Sequence, residues 1–459
     1  MERVDYVSTT NGCKLCKPLG ACLAFRGIEG AVPMLHGSQG CATYMRRYII
    51  SHFREPMDIA SSSLGEKHAV YGGGANLKQG LKNIMNKYGA GLIGVATTCL
   101  TETIGDDVPM IIREFRKEME EAGNAPPAPP LVCVSTPSYS GTHMEGFHAA
   151  VRAVVDQLCA KGSLVEDGES KFVNLLPGFI SPEDLRYLKE IVEDFDLGCV
   201  MLPDISDTLD GPALEDYGKI PAGGTPVSDI KRMGGAAASL EFGHTLAEKP
   251  TAGAILLERF NVSLHPLGIP IGLRETDAFF SALEEASGRP APERHELERG
   301  RLVDSYVDAH KYLFGKRAVV YGEEDLVIAL TAFLVEIGIK PVLCASGGKS
   351  GRMKSCIETV TSGLLETPPM VEEGADFYKI EKLCEDLSPD LLVGHSKGYR
   401  LSKKLDAPLI RVGFPIHDRF GGQRTLHVGY RGTQRLLDRI VNAILEKNQE
   451  DSNLGYAYM

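Results

Sequence analysis

The sequence predicts an α/β protein with three doubly wound, Rossmann-like domains around a shared cleft. Short apolar runs of strand length alternate along the chain with longer amphipathic segments of helix length, an order typical of parallel sheets covered by helices. Glycine-marked turns follow several of the apolar runs, and the chain contains 50 glycines. With 459 residues the chain is too long for one hydrophobic core, so about two to four domains are expected.

The first predicted domain covers residues 1–165. Its strands are short and apolar, and we expect ligand-binding loops at their carboxyl ends, as in other open α/β sheets. The stretch Asn124–Pro130 is rich in proline and predicts a surface connection. The predicted strands are Ala31–Leu35, Gly91–Ala96 and Leu131–Val134, and the predicted helices include Leu77–Lys87 and Met110–Ala122.

The second predicted domain covers residues 166–290 and begins within the polar stretch Lys161–Lys171. The segments FVNLLPG and GCVMLPD are typical of buried parallel strands, and SPEDLRYLKEIVEDF between them has the pattern of a helix. Ser181 is the predicted N-cap of that helix, with Asp184 three residues later, close to the capping-box pattern. This unit is βαβ, for which a right-handed crossover is expected.

The third predicted domain covers residues 291–459. A charged helix around residues 290–314 leads into KRAVVYGEEDLVIALTAFLVEIGIKPVLCA, which has the order strand, turn, helix, strand. DLLVGHS and PLIRVGF predict further strands, and Arg435–Glu446 predicts a closing amphipathic helix. The sequence shows no repeat of solenoid length.

Composition narrows the function classes. A formal net charge of -12 argues against a nucleic-acid partner bound through its phosphates. The N-terminal segment MERVDYVSTTNG has no apolar core of signal-peptide length, and no run is long enough to span a bilayer. We therefore expect a cytoplasmic protein with no membrane partner. In a reducing compartment the 11 cysteines are not a disulfide framework, which favours metal-binding or reactive roles for some of them.

Three cysteines lie in glycine-marked segments behind apolar runs: Cys16 in CKPLG, Cys41 in HGSQGC and Cys99 in GVATTCL. A tetrahedral zinc or a four-iron cluster usually takes four protein ligands. Three thiolates therefore suggest an inorganic cluster whose other ligands come from a partner subunit. The alternative is that they are small core residues, as lone buried cysteines usually are, and spacing alone leaves both interpretations open.

Other candidates stand near these cysteines. Ser138, in STPSYSG, follows the next predicted strand, and its hydroxyl is a candidate fourth, optional ligand to oxidised iron. Cys13 and Cys16 form a C-x-x-C, which alone is compatible with a redox pair or half a zinc site, but no second such motif completes a zinc site. We interpret His36 as a structural histidine, and Asp106 and Asp107 as caps of the helix that follows.

Long stretches of the chain resemble the β-type subunit of nitrogenase component 1 and its relatives. The resemblance begins at CKPLGACLAFRGIEGAVPMLHGSQGC and continues through VYGGG and VATTCLTETIGDD to GFPIHDRFGGQRTLHVGYRGT. It covers nearly the whole chain from Cys16 to the final helix. HGSQGC, TTCL-x-ET-x-GDD and TPS-[YF]-x-G-[ST]-H are long motifs and together are highly specific.

The resemblance implies three Rossmann-like domains and an α-type partner of similar fold in an α₂β₂ assembly. It implies that Cys16, Cys41 and Cys99 bind an eight-iron P-type cluster shared with the partner, and that Ser138 binds the oxidised cluster. The active-site cofactor is expected in the partner. A separate ATP-dependent iron–sulfur reductase is expected to dock near Tyr71, which replaces the phenylalanine of the family's VFGGG motif.

Several members of this family fit the sequence. The first is a catalytic subunit, acting on dinitrogen or, as in methylthio-alkane reductase, on carbon–sulfur compounds. The second is the scaffold subunit of the cofactor-assembly complex, with a four-iron cluster; Phe420–Gln423 in place of a histidine-rich stretch favours it. A protochlorophyllide reductase subunit fits poorly because its cluster has four irons. The complete ligand set favours the catalytic reductase.

Overall fold

The structure is a computed structural model in which residues 12–121, 128–160, 171–213, 216, 218–246 and 250–453 are described. Parts of the predicted connection Asn124–Pro130 and of the polar stretch Lys161–Lys171 lie outside these residues. Three sheets are present in the described chain, and every strand pairing whose register is defined is parallel. The α/β class predicted from the sequence is confirmed.

The first sheet has the strand order β2-β1-β3-β4. Its strands are β1 (Ala31–His36), β2 (Ala60–Ser61), β3 (Leu92–Thr97) and β4 (Leu131–Val134). The helices of this region are α1 (Lys17–Arg26), α2 (Gln39–Phe53), α3 (His68–Tyr71), α4 (Gly74–Tyr88), α5 (Cys99–Ile104), α6 (Val108–Glu121) and α7 (His143–Leu158). The apolar faces of α4 and α6 pack on β1 and β3, with Leu77, Leu81 and Phe115 fully buried.

The second sheet has the order β6-β5-β7-β8. Its strands are β5 (Phe172–Leu176), β6 (Gly198–Met201), β7 (Ala238–Phe242) and β8 (Ser263–Leu267), and its helices are α8 (Pro182–Asp194), α9 (Val227–Arg232) and α10 (Ala252–Phe260). Strands β5 and β6 pair in parallel with α8 between them in sequence. The predicted capping box of α8 is confirmed: Ser181 Oγ accepts the Asp184 N–H at 3.0 Å.

The third sheet has five strands in the order β11-β10-β9-β12-β13. They are β9 (Arg317–Gly322), β10 (Lys340–Ser346), β11 (Met370–Glu372), β12 (Leu391–Gly394) and β13 (Leu409–Arg411). The helices are α11 (Leu273–Ser287), α12 (Glu293–Leu313), α13 (Glu324–Glu336), α14 (Met353–Thr361), α15 (Phe377–Cys384), α16 (Tyr399–Leu405) and α17 (Gly429–Asp451). The chain starts in the middle of the sheet and extends it in both directions, which is the doubly wound arrangement.

The chain divides into two compact units. One consists of Leu15–Phe242 and Glu248–His265, and the other of Met1–Lys14, Gly243–Ala247 and Pro266–Met459. The division into three domains with boundaries after residues 165 and 290 stays a prediction. No helix in the described part of the chain has both the length and the apolar character needed to cross a bilayer.

Candidate functional site

The carboxyl ends of β1 and β3 form the topological switch point of the first sheet. The two strands are neighbours, His36 pairs with Thr97, and the chain leaves them toward opposite sides of the sheet. HGSQGC continues from β1 and TTCL from β3. Open α/β sheets bind ligands in the crevice outside the strand ends at such a point, so both cysteine-bearing segments begin at the expected position.

The two segments are bonded to each other. Thr98 donates both its N–H (3.2 Å) and its hydroxyl (3.1 Å) to the carbonyl oxygen of His36, and the Thr101 hydroxyl donates to the same oxygen. A Cβ on Gly37 would lie 2.2 Å from the Thr98 hydroxyl oxygen, so only glycine permits this approach. The positions of the Cys41 and Cys99 segments are therefore coupled.

All three candidate cysteines lie at helix N-termini. Cys16 is the N-cap of α1, Cys41 is the third residue of α2, and Cys99 is the first residue of α5. The sequence predicts a loop after Cys99, and this prediction is wrong because Thr98 and Thr101 form a capping box that starts a helix. Free N–H groups at a helix N-terminus stabilise a thiolate.

Ser138 connects the Cys99 and Cys16 segments. Its N–H donates to Cys99 Sγ at 3.2 Å, and its hydroxyl has no hydrogen-bond partner among the described residues. Cys16 forms a backbone bridge with Thr142, and Lys17 Nζ donates to Ser140 Oγ at 2.9 Å. The segment 138–142 thus contacts both cysteine-bearing helices and presents a free hydroxyl beside them.

The approach of Cys16 to Thr142 depends on two glycines where α1 crosses α7. A Cβ on Gly20 would lie 1.6 Å from the His143 carbonyl oxygen, and one on Gly146 would lie 1.8 Å from that of Lys17. Backbone atoms cannot give way as a side chain can, so any larger residue separates the helices. The sequence marks Gly20 as a position of close backbone approach, but Gly146 and the helix crossing were not identified from it; the paired capping pattern T-H-M-E at Thr142–Glu145 was a readable signal for the start of α7.

Gly146→Ala is expected to lower the free energy of unfolding by about 2 kcal/mol or more, because the helices must move apart. The matched control is Gly300→Ala in α12, where a Cβ meets nothing within 4 Å. There the higher helix propensity of alanine should raise stability slightly. Urea unfolding of the two variants checks this, and equal effects would contradict the close-packing argument.

A buried network beneath the Cys41 segment includes His36, which is structural as predicted. His36 Nδ1 lies 2.9 Å from Ser62 Oγ and Nε2 lies 3.1 Å from Asp106 Oδ2. Ser62 Oγ also accepts the Gly37 N–H at 2.9 Å. The Ser–His–Asp order resembles a hydrolytic triad, but Ser62 is 4% exposed and His36 is fully buried, so no substrate reaches the serine.

Asp106 extends this network to the segment with Tyr71. It accepts the Gly73 N–H at 3.0 and 3.1 Å, so it is not the predicted helix cap; Asp107 caps α6 by accepting the Met110 N–H at 2.9 Å. Tyr71 itself is 87% exposed and the adjacent Val70 is 78% exposed. Tyr71 and Val70 are thus exposed on a segment whose backbone is bonded to Asp106.

The pH dependence of stability should report the His36 network. Burial lowers the pKa of His36 and the Asp106 carboxylate only partly opposes this. Below about pH 6.5 His36 therefore binds a proton in the unfolded chain but remains neutral in the folded chain. The free energy of unfolding thus falls as the pH drops. The free energy of unfolding should fall more between about pH 7.5 and 5.5 in the wild type than in His36→Gln. Urea titrations at both pH values check the difference.

Five of the other eight cysteines are buried, and Cys133, Cys159 and Cys199 are partly exposed. Cys16 is exposed, and Cys41 and Cys99 are partly exposed. Burial raises the pKa of all eight: Cys13, Cys22, Cys133, Cys159, Cys199, Cys344, Cys356 and Cys384. These eight thiols are thus disfavoured as thiolate ligands at neutral pH.

Cys13 does not behave as the partner of Cys16 in a reactive C-x-x-C. Its Sγ lies 3.5 Å from Nε2 of buried His395. Burial, followed by the negative charge of Glu323, raises the pKa of Cys13 to about 12. A protonated, buried thiol suits a core position better than a redox or zinc site.

Exposed aromatic side chains border the candidate ligands. Tyr44 is 73% exposed one helical turn after Cys41 on α2, and Tyr139, beside Ser138, is 70% exposed. Residues three apart on a helix share a face, so Tyr44 and Cys41 lie on the same side of α2. Neither tyrosine was predicted from the sequence, although the i, i+3 spacing of Cys41 and Tyr44 is visible in CATY.

Comparison with known proteins identifies the family. The model of nitrogenase component 1 type oxidoreductases matches residues 16–445. The chain belongs to this family. It is similar to the nitrogenase molybdenum-iron protein beta chain of Clostridium pasteurianum, with 36% identity over 442 residues, 96% of this chain and 94% of the relative. The nitrogenase molybdenum-iron protein beta chain of Azotobacter vinelandii is 35% identical over 461 residues, which cover 97% of this chain and 86% of that relative.

Solved structures agree with this assignment to a β-type nitrogenase component 1 subunit. A chain of the structure described as nitrogenase Cp1 at pH 6.5 has a TM-score of 0.93 and 34% identity, covering 100% of this chain and 98% of that one. A chain described as nitrogenase Cp1 at pH 5 has a TM-score of 0.67 at 14% identity, which shows the shared fold alone.

The nitrogenase component 1 family binds iron–sulfur clusters, and the donors found here fit such a group. In the described residues no set of three or more His, Cys, Asp or Glu side chains is placed to hold a single metal ion. Thiolates that bind different irons of one cluster need not converge on one point. Accessible thiols at helix N-termini, one of them accepting an amide N–H, suit the negative charge of an iron–sulfur core.

Proposed function

We propose that this chain is the β-type subunit of a nitrogenase-type two-component reductase and supplies half the ligands of an eight-iron P-type cluster. The observation that carries the proposal is that Cys16, Cys41 and Cys99 each lie at a helix N-terminus beside the first sheet, with the Ser138 N–H bonded to Cys99 Sγ. The three thiolates are the proposed iron ligands, and the free Ser138 hydroxyl is the additional ligand to oxidised iron. When bound, the cluster supplies low-potential electron relay.

The partner in this proposal is an α-type subunit of the same family. Exposed Tyr44 and Tyr139 border the proposed ligands, and exposed apolar groups beside a functional site are typical of a protein interface. The partner would cover these rings, exclude water from the thiolates and contribute the remaining cluster ligands. We place the active-site cofactor in that partner and expect an α₂β₂ assembly.

The second partner in the proposal is an ATP-dependent iron–sulfur reductase that docks at Tyr71 and Val70. Both side chains are exposed on a segment fixed by the Asp106–Gly73 bond. Rigid, exposed aromatic groups are favoured contact residues because binding costs them little side-chain entropy. The tyrosine hydroxyl also adds a hydrogen-bonding group at the edge of the contact.

Dinitrogen is the proposed substrate, because the similar relatives are named nitrogenase molybdenum-iron protein beta chain. A methylthio-alkane remains the alternative substrate of the same electron relay. The scaffold of cofactor assembly is the second candidate function, favoured by Phe420–Gln423 in place of a histidine-rich stretch.

Iron content and redox-dependent EPR of the purified assembly test the proposal. An eight-iron cluster per copy of this chain, with a signal that changes on oxidation, is expected for the reductase subunit. A four-iron cluster that lacks the oxidised signal would contradict it and favour the scaffold. Ammonia formation with added reductase and ATP then separates dinitrogen from carbon–sulfur substrates.

A further inference from the structure

A basic cavity of about 680 Å³ lies beside the edge strand β13 of the third sheet. It is bounded by β13, by the loop that contains Phe420 and by α17. One carboxylate, Glu446, is in the lining, against five arginines: Arg411, Arg419, Arg424, Arg435 and Arg439. On a chain with a net charge of -12, this concentration of positive charge is a local feature. We call this cavity the arginine pocket.

Carboxylates of the protein neutralise only some of the five arginines of the arginine pocket. Arg411 forms an ion pair with Asp418, at 2.7 Å between Nη2 and Oδ2. Arg419 Nη1 donates to the Asp418 carbonyl oxygen at 2.7 Å and lies 3.7 Å from the carboxylate. A single carboxylate therefore serves two of the arginines. Glu446 forms no ion pair with any of them in the described part of the chain.

Arg435 and Arg439 on α17 have no carboxylate partner among the described residues. Arg439 Nη2 donates to the Arg411 carbonyl oxygen at 2.8 Å, but its Nη1 is buried with no hydrogen-bond partner in the part of the chain that the structure describes. Burial, and then the like charge of Arg411, lowers the pKa of Arg439. A buried polar atom without a partner is costly, and Arg439 has no anionic partner among the described residues, so the pocket favours a negatively charged ligand.

The other lining groups limit the kind of anion. A guanidinium matches phosphate or carboxylate with two parallel hydrogen bonds. Ile410, Ile416 and Leu426 add apolar walls. The Phe420 ring is 83% exposed, with the Arg424 guanidinium carbon 5.0 Å from its centroid, so it offers a face for stacking. The volume is within the range of small-molecule sites, and it suits a ligand with both a charged and a planar part.

We propose that the arginine pocket binds a small phosphorylated molecule of nucleotide type, with its phosphates at Arg435 and Arg439 and its planar part against Phe420. The proposed ligand would lie along the edge strand β13, whose residues Leu409, Ile410 and Arg411 line the cavity. This site is separate from the proposed electron relay and does not depend on it.

Equilibrium dialysis of the purified assembly with ADP, inorganic pyrophosphate and citrate tests the proposal. ADP should bind, and Arg435→Glu should weaken its binding by about tenfold or more, because a charge-assisted contact is replaced by repulsion. The matched control is Arg301→Glu on α12, an exposed arginine outside the cavity, which should leave binding unchanged. Phe420→Ala should weaken ADP binding but not pyrophosphate binding.

Three outcomes would overturn the proposal. One is ADP binding that Arg435→Glu does not change, which would place the nucleotide elsewhere in the assembly. Another is tight binding of citrate without ADP, which would assign a polycarboxylate to the pocket. The last is no binding of any of the three anions to wild-type protein. Unchanged circular dichroism and iron content of Arg435→Glu would show that its fold is intact.

Discussion

Alanine at Cys16, Cys41 or Cys99 is expected to remove roughly half or more of the cluster iron and to abolish its redox-dependent EPR signal. A cluster binds thiolates, and an alanine cannot replace one. Because metal binding also stabilises the fold that supplies the ligands, loss of one thiolate should weaken the others as well. Iron per assembly and EPR of the purified variants measure the effect.

The matched control is Cys159→Ala, which removes a cysteine at the C-terminal end of α7, outside the proposed ligand set. The Cys159 thiol contacts the Lys231 carbonyl oxygen, and burial raises its pKa. Iron content should be unchanged in this variant. Equal iron in all four variants would remove the ligand assignment. Ser138→Ala should retain its iron and alter only the EPR signal of the oxidised form.

Local sequence patterns predicted most strands of the fold because those strands are buried on both faces. Strand β4 occupies the predicted residues Leu131–Val134, and β1 and β3 differ from prediction by a residue at their ends. Each is a short apolar run bounded by polar residues or glycine, and a run of this length is typical of a strand in a parallel sheet covered on both faces. The helix α17 extends beyond the predicted Arg435–Glu446, because its first turns carry glycines that weaken the helical pattern.

The site was predictable as a set of residues but not as an arrangement. Motifs identified Cys16, Cys41, Cys99 and Ser138, since thiols and hydroxyls in glycine-marked segments are visible locally. No local pattern indicates that Cys16 meets Thr142. That contact depends on the crossing of α1 and α7, which is set by two glycines distant in sequence. In the same way, β-branched residues around Cys99 favour a strand, and the Thr98–Thr101 capping box overrides them.

Replacing Tyr71 by glutamate is expected to weaken docking of the iron–sulfur reductase by about tenfold or more. Loss of a central aromatic contact commonly reduces binding affinity by at least that factor. Substrate reduction should then need a correspondingly higher reductase concentration for half-maximal rate, while iron content and EPR remain those of the wild type. The measurement is the rate as a function of reductase concentration at saturating ATP.

The control for this prediction is Tyr378→Glu, because Tyr378 on α15 is also exposed, at 55%. It changes the charge equally but lies in the other compact unit. Equal shifts in both variants would indicate a general charge effect rather than a contact at Tyr71.

The hydrogen bond between Asp106 and the Gly73 N–H, next to the Tyr71 segment, gives a second test. Asp106→Asn keeps the Gly73 bond but removes the carboxylate charge facing His36. Its effect on docking should therefore be smaller than that of Tyr71→Glu, because the contact side chain itself is retained.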